Sequence, residues 1–294
     1  MSLCSQVART AEEPLIGTIK SLTRVWILLE FNGPWRAYAT EDNDLPEVAQ
    51  TWLLENLQAV PDARAQFIRS TPGTGPRLYV ALPDDTDSVM FGWQLDSYED
   101  LAAVDLAAVV ESRSGPQVYE PLLAVCTNGK RDACCAKFGV RVAQQLHEDG
   151  RLPVWQTTHV TGHRWAATGV LFPHGIYYGR MDDDPLAVVE AAHAGEIAPD
   201  LYRGRSFHPK PVQVADALLR SKTGDFRWDA YRLQGASAVV DEAWEVIFTT
   251  RDEQRHRVQV AREPIGTMQP SDCSTPEATP VYDYWLRSHI VEPG

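Results

Sequence analysis

The sequence predicts a mixed α/β chain that ends in a small β-rich part, and three observations carry that reading. Short apolar runs alternate with stretches of helical spacing, Pro and Gly clusters fall between them, and the middle third reads strand, helix, strand, hairpin, helix. With 294 residues and 44% apolar content the chain has the mass and composition to bury a core rather than remain disordered. No internal repeat of 20 to 50 residues and no low-complexity tract interrupts it.

The pattern divides into three parts. Residues 1–115 form an N-terminal α/β domain. In it Val25 to Phe31 is a buried strand closed by the turn Asn32-Gly33-Pro34. Leu45 to Val60 is a helix whose stripe is Val48, Trp52, Leu53 and Leu57. Ala65 to Ile68, Arg77 to Leu82 and Met90 to Leu95 are strands, and Asp96 to Glu111 is a helix before the break Ser114-Gly115-Pro116. Residues 116–222 form the second domain. Val118 to Val125 is a strand leading into Cys126, Asp132 to Leu146 is a helix, and Val154 to Gln156 is a short strand. Trp165 to Phe172 and Ile176 to Arg180 make a hairpin across Pro173-His174-Gly175. Pro185 to Ala194 is a helix with Asp184 as N-cap and Gly195 past its end, and Pro209 to Ser221 is another. That order is how a thioredoxin-like α/β domain reads. Residues 223–294 form a C-terminal β extension, with strands at Tyr231 to Leu233, Ala243 to Thr249 and Arg255 to Val260, and a Pro-, Ser- and Thr-rich tail from Pro264.

Charge and hydropathy narrow the function. Lys and Arg number 27 against 40 Asp and Glu, a net charge of −13 that repels phosphate backbones and argues against nucleic-acid binding. Apolar runs such as Val25 to Phe31 and Leu101 to Val110 are short and broken by Glu30 and Asp105, so no membrane span is expected. The N-terminus lacks a basic region followed by an apolar core, which makes the expected location cytoplasmic. No Gly-rich dinucleotide motif is present, so no bound NAD or flavin is expected.

Five cysteines in a chain of this size are not a disulfide scaffold. Cys4 and Cys273 lie near the ends, while Cys126, Cys134 and Cys135 cluster in the middle, as metal or redox chemistry requires. Cys126 closes a strand, Asn128-Gly129 turns, and Asp132 can cap a helix whose first turn holds Cys134 and Cys135, where the helix dipole favours thiolates. Cys135, Phe138, Val142 and Leu146 share one helical stripe, whereas Cys134 sides with Arg141 and Gln145. Cys135 is therefore the inward residue, giving Cys126-x8-Cys135 with Cys134 as its neighbour. Downstream, His159 and His163 are separated by three residues that include Gly162, in a loop at the end of a strand, and can converge on one metal. Two metals accept two Cys and two His: tetrahedral zinc, whose paired cysteines normally stand closer than eight residues apart, and a 2Fe–2S cluster. A third chemistry, thiol oxidoreduction by Cys134 and Cys135, lacks the Cys-x-x-Cys spacing. Lys130, Arg131 and Arg164 border these residues, and Arg203 and Arg205 are candidates for an anion or for the framework.

The run Cys126 to Gly139, the His159-x3-His163 loop, Tyr178-Gly179-Arg180 and Arg203-Gly204-Arg205-Ser206 resemble the sucrase/ferredoxin-like family. Glu13 to Thr18 and Glu30 to Trp35 are similar to its N-terminal half, and the resemblance is strongest from Leu122 to about Leu219. It implies a thioredoxin-like ferredoxin domain with a 2Fe–2S cofactor held by Cys126, Cys135, His159 and His163, the two histidines standing where ordinary members of that fold carry a second cysteine pair. It implies one-electron transfer with a redox partner protein that the sequence does not name. Neutral imidazoles in place of thiolates make the centre less negative and raise its potential, and a second ring nitrogen open to water offers a route to proton coupling. No carboxylate pair for glycoside hydrolysis stands out, nor any other substrate site.

Overall fold

The computed structural model describes residues 3–70, 76–270, 273 and 278–292. A short helix, Cys4–Thr10 (α1), precedes the first strand, Val25–Glu30 (β1), all six residues of which are buried. The helix Glu47–Ala59 (α2) crosses to Ala63–Arg69 (β2), which lies parallel to β1, and Arg77–Leu82 (β3) and Val89–Gln94 (β4) follow as antiparallel strands. Trp52 and Leu53 of α2 enter a core with Ile27, Leu29, Phe67 and Val80. The helix expected over Asp96 to Glu111 is two pieces. A 3₁₀ turn spans Tyr98–Ala103 under a Ser97/Asp100 capping box, and α3 (Leu106–Ser112) restarts with the Asp105 side chain accepting from the Ala108 N–H. Two competing caps so close together end one helix and begin another.

The second half repeats this plan. Leu122–Cys126 (β5) starts four residues later than the apolar pattern suggests, just past Pro121, which has no N–H to give a ladder. A helix containing the π turn Cys135–Gly139 and then α4 (Val140–Asp149) crosses to Val154–Thr157 (β6), parallel to β5. The antiparallel strands Gly169–Phe172 (β7) and Ile176–Tyr178 (β8), the helix Pro185–Ala194 (α5), the short strand Tyr202–Arg205 (β9) and the helix Lys210–Thr223 (α6) complete it. The expected Asp184 cap forms, its side chain accepting from Ala187, and Gly195 closes α5 at φ +73°.

All nine strands share one sheet in the order β4-β3-β1-β2-β6-β5-β7-β8-β9. Within it β2-β1-β3-β4 and β6-β5-β7-β8 have the same order and sense, a parallel pair followed by two antiparallel strands, as a thioredoxin-like unit requires. The two units meet edge to edge where β2 and β6 run antiparallel, Ile68 opposite Thr157 and Arg69 opposite Gln156. Each unit thereby covers the edge strand of the other.

The C-terminal part is a four-stranded antiparallel sheet: Arg232–Val240 (β10), Ala243–Thr249 (β11), Arg255–Pro270 (β12) and Ala278–Glu292 (β13). The tail from Pro264 is therefore largely strand. Its prolines hide the pattern, and the register slips between Pro264 and Met268. Val246, Phe248, Val258 and Val260 pack on α6. Among the described residues no helix is long and apolar enough to cross a membrane.

Candidate metal centre

Parallel strands place ligands beyond their carboxyl ends, and β5 and β6 end side by side, Cys126 opposite Thr157. The Cys126 N–H is fixed by the Thr168 carbonyl at 2.9 Å. The chain then turns on buried Asn128, whose amide donates to the Arg36 carbonyl of the first unit, and returns as the helix that carries Cys134 and Cys135. Asp132 caps that helix, its Oδ1 accepting from the Cys134 N–H at 2.8 Å. The π turn ends at Gly139, where an added Cβ would overlap the Cys126 carbonyl oxygen and lie 3.1 Å from its carbon. Glycine thus lets the ligand-bearing helix press directly on the ligand-bearing strand.

Cys126 and Cys135 are both buried, and His159 Nδ1 stands 3.8 Å and 3.6 Å from their sulfurs. The donor atoms of these three residues all lie within 4.8 Å of one another. His163 lies beyond His159, its Nδ1 3.5 Å from His159 Nε2 and its Nε2 3.9 Å from Asp132 Oδ2. The structure therefore gathers Cys126, Cys135 and His159 directly, and joins His163 to them through the other ring. The hydrogen bond from Cys135 holds the Cys126 thiolate well below the usual thiol range, and the same bond pushes Cys135 well above it. A cation placed between them removes that conflict, because it stabilises both thiolates at once.

The His loop is held by the first unit. The His159 carbonyl accepts from Arg64 Nη2 at 3.0 Å and Gln66 Nε2 at 3.4 Å, and the Thr158 hydroxyl donates to Gln66 at 2.6 Å. Between the histidines, Thr161 and Gly162 both have positive φ, +78° and +82°. Only glycine suits the second position, because a Cβ there would also strike the Arg203 guanidinium. Arg203 is fully buried, donates to Thr18 Oγ1 at 3.0 Å and the Thr161 carbonyl at 3.3 Å, and lies over the Trp165 and Tyr177 rings. It supports the loop. Arg205 instead donates to the carbonyls of Asp84 and Trp228, a framework role. Arg164 is no solvated rim residue: it forms a buried ion pair with Glu13 and donates to Thr279 Oγ1 at 2.8 Å. Lys130 is exposed.

A cleft of about 430 Å³ opens beside His159 and His163, and its wall carries Lys20, Arg131, Lys210 and Arg262 next to the Arg164–Glu13 ion pair, a basic mouth on an acidic protein. The β12–β13 hairpin supplies one side of it, through Arg262, Val281 and Tyr284.

Cys134 faces away from this set. Its sulfur meets those of Cys4 at 3.5 Å and Cys273 at 3.4 Å, so the vicinal pair is divided between two groups. Sequence reasoning left Cys4 and Cys273 without a role because their partner lies 130 and 139 residues away.

Fold and site together define an α/β protein built from two thioredoxin-like units, with two buried cysteines and a half-buried histidine gathered at the strand ends of the second. Residues 15–204 match the sucrase/ferredoxin-like family, and the chain belongs to it. A curated relative, "Altered inheritance of mitochondria protein 32" of Meyerozyma guilliermondii, is 30% identical over 99 residues, which cover 30% of this chain and 35% of that protein. The matched stretch is thus about a third of the relative's length. No solved structure matches the chain.

Proposed function

We propose that the chain is an electron-transfer protein whose 2Fe–2S cluster is held by Cys126, Cys135, His159 and His163. The observation that carries the reading is the donor set itself: two buried sulfurs with an imidazole nitrogen facing both and a second ring against the first. Two thiolates and two imidazoles are the donors of a Rieske-type centre, and membership of a ferredoxin-like family points the same way. Such a cluster stores and releases one electron. The chain's part is to exclude water from the sulfur side, where Cys126 and Cys135 are 0% and 1% exposed, and to leave the histidine side open to the cleft. Its basic mouth suits an acidic redox partner or a small anionic electron donor. Both histidines line the cleft, so a ring nitrogen not bonded to iron can exchange a proton with solvent, which gives the electron a route to proton coupling.

The test is anaerobic purification followed by iron, sulfide and visible absorption measurements. The expected result is about two iron ions and two sulfides per chain and a red-brown colour bleached by reduction. Cys126→Ser and Cys135→Ser abolish the colour, and Cys134→Ala keeps it. A colourless protein that binds zinc at Cys126 and Cys135 would sink the proposal.

A further inference from the structure

We propose that Cys4, Cys134 and Cys273, with Asp132 as fourth donor, hold a structural zinc ion distinct from the Cys126/Cys135 centre. The three sulfurs form a closed triangle with sides of 3.3, 3.4 and 3.5 Å, and Asp132 Oδ2 is 4.0 Å from the Cys4 sulfur. All four donor atoms lie within 4.8 Å of one another. In a tetrahedral zinc site with bonds of about 2.3 Å the sulfurs stand about 3.8 Å apart, so opening the sulfur triangle around an ion needs movements of only a few tenths of an ångström. A disulfide would use two sulfurs and leave the third, with a buried carboxylate, unexplained; all three thiols are free.

The surroundings suit thiolates bound to a cation. Cys4, Cys134 and Asp132 are 2%, 0% and 5% exposed. The Ser5 hydroxyl donates to the Cys134 sulfur at 3.2 Å, and the Cys4 N–H to the Cys273 sulfur at 3.4 Å, the outer hydrogen bonds that metal-bound sulfur usually receives. The Cys273 N–H donates to Asp132 Oδ2 at 3.2 Å, which orients the carboxylate. Leu3, Phe138 and Ala166 close the apolar side. Zinc has no redox chemistry of its own: binding exchanges thiol protons for Zn–S bonds and no electron moves. The donors come from α1, from the cap and first turn of the helix that carries Cys135, and from the segment between β12 and β13. An ion there ties α1 and the β12–β13 connection to the helix that presents Cys135, next to the other centre and sharing no donor with it.

The experiment measures zinc and iron per chain in the full-length protein, purified anaerobically from zinc- and iron-supplemented cultures. Wild type and Cys126→Ser are expected to carry about one zinc. The double variant Cys4→Ser/Cys273→Ser is expected to lose zinc while keeping its iron. X-ray absorption at the zinc edge of the wild type, which needs no variant to fold, is expected to show three sulfur neighbours and one oxygen. Absence of zinc from wild type, zinc retained by the double variant, or a zinc shell of two sulfurs and two nitrogens overturns the proposal. So does an intact mass about two units low, the mark of a disulfide. Because Cys126→Ser removes iron and not zinc, failure of the iron assignment and failure of this one read differently.

Discussion

Gly139→Ala is the sharpest single perturbation of the iron-site geometry. The glycine sits at the end of the π turn, buried, with the Cys126 carbonyl group against its α-carbon. A methyl there overlaps the carbonyl oxygen and comes to 3.1 Å from the carbonyl carbon, against ordinary carbon contacts of about 3.5 to 4.0 Å. The obstacles are backbone atoms, Cys126 O and C and the Thr127 Cα, so no side-chain rotation relieves them. Helix and strand must part by on the order of 1 Å, several times the roughly 0.2 Å tolerance of a metal–ligand bond. Overpacking of this kind costs about 1–3 kcal/mol, which leaves a folded protein. The expected result is a native circular dichroism spectrum with iron per chain reduced at least about tenfold after reconstitution, the scale on which displaced ligand support lowers metal affinity. Gly195→Ala serves as control, since its Cβ meets nothing within 4 Å and only the positive φ is strained. Full iron loading and an unchanged spectrum in Gly139→Ala would refute the reasoning.

Three further outcomes are expected. His159→Cys and His163→Cys each exchange a neutral ligand for a thiolate, so voltammetry should show a midpoint potential lower by on the order of 100–200 mV in each. Arg203→Met removes a buried cation and its bonds to Thr18 and Thr161, and chemical denaturation should register a loss of about 2–4 kcal/mol together with lower iron occupancy. His174 lies 3.9 Å from the Trp228 ring, and burial, aided by the Arg205 charge, lowers its pKa to about 3. Its unfolded form takes a proton near pH 6.5 while the folded form does not, so its contribution is complete above pH 6.5 and fades as pH falls toward 3. At pH 5 that is a loss of about 2 kcal/mol, which His174→Phe should remove in urea titrations compared at pH 7.5 and pH 5.

The local grammar of the chain was legible. Asp184-Pro185 and Gly195 bound a helix where capping chemistry placed it, whereas Cys134, expected on the outer face beside Arg141 and Gln145, is as buried as Cys135. The expected stripe is broken: Cys135 packs with Cys126 and Trp155, Val142 and Leu146 pack in another part of the core, and Phe138 lies against Cys134, because the added residue of the π turn shifts the phase between Cys135 and Val142. What stayed hidden is non-local. The two thioredoxin-like units share strand order and little else: where β5 ends in Cys126, β1 ends in Glu30, so no repeat shows in the letters. The support of His159 by Arg64 and Gln66 arises only once β2 pairs with β6. Cys4 and Cys273 carried no local signal beyond their residue type, and Pro264, Pro270 and Pro280 disguised two long strands as a tail.

Pulsed electron paramagnetic resonance of the reduced protein tests the central assignment most directly, because it counts the nitrogens bonded to iron. The account predicts two strongly coupled imidazole nitrogens in the wild type, one in His159→Cys and one in His163→Cys, all on a two-iron signal that Cys126→Ser abolishes. A wild-type signal without nitrogen coupling, or one that both histidine variants leave unchanged, would contradict it.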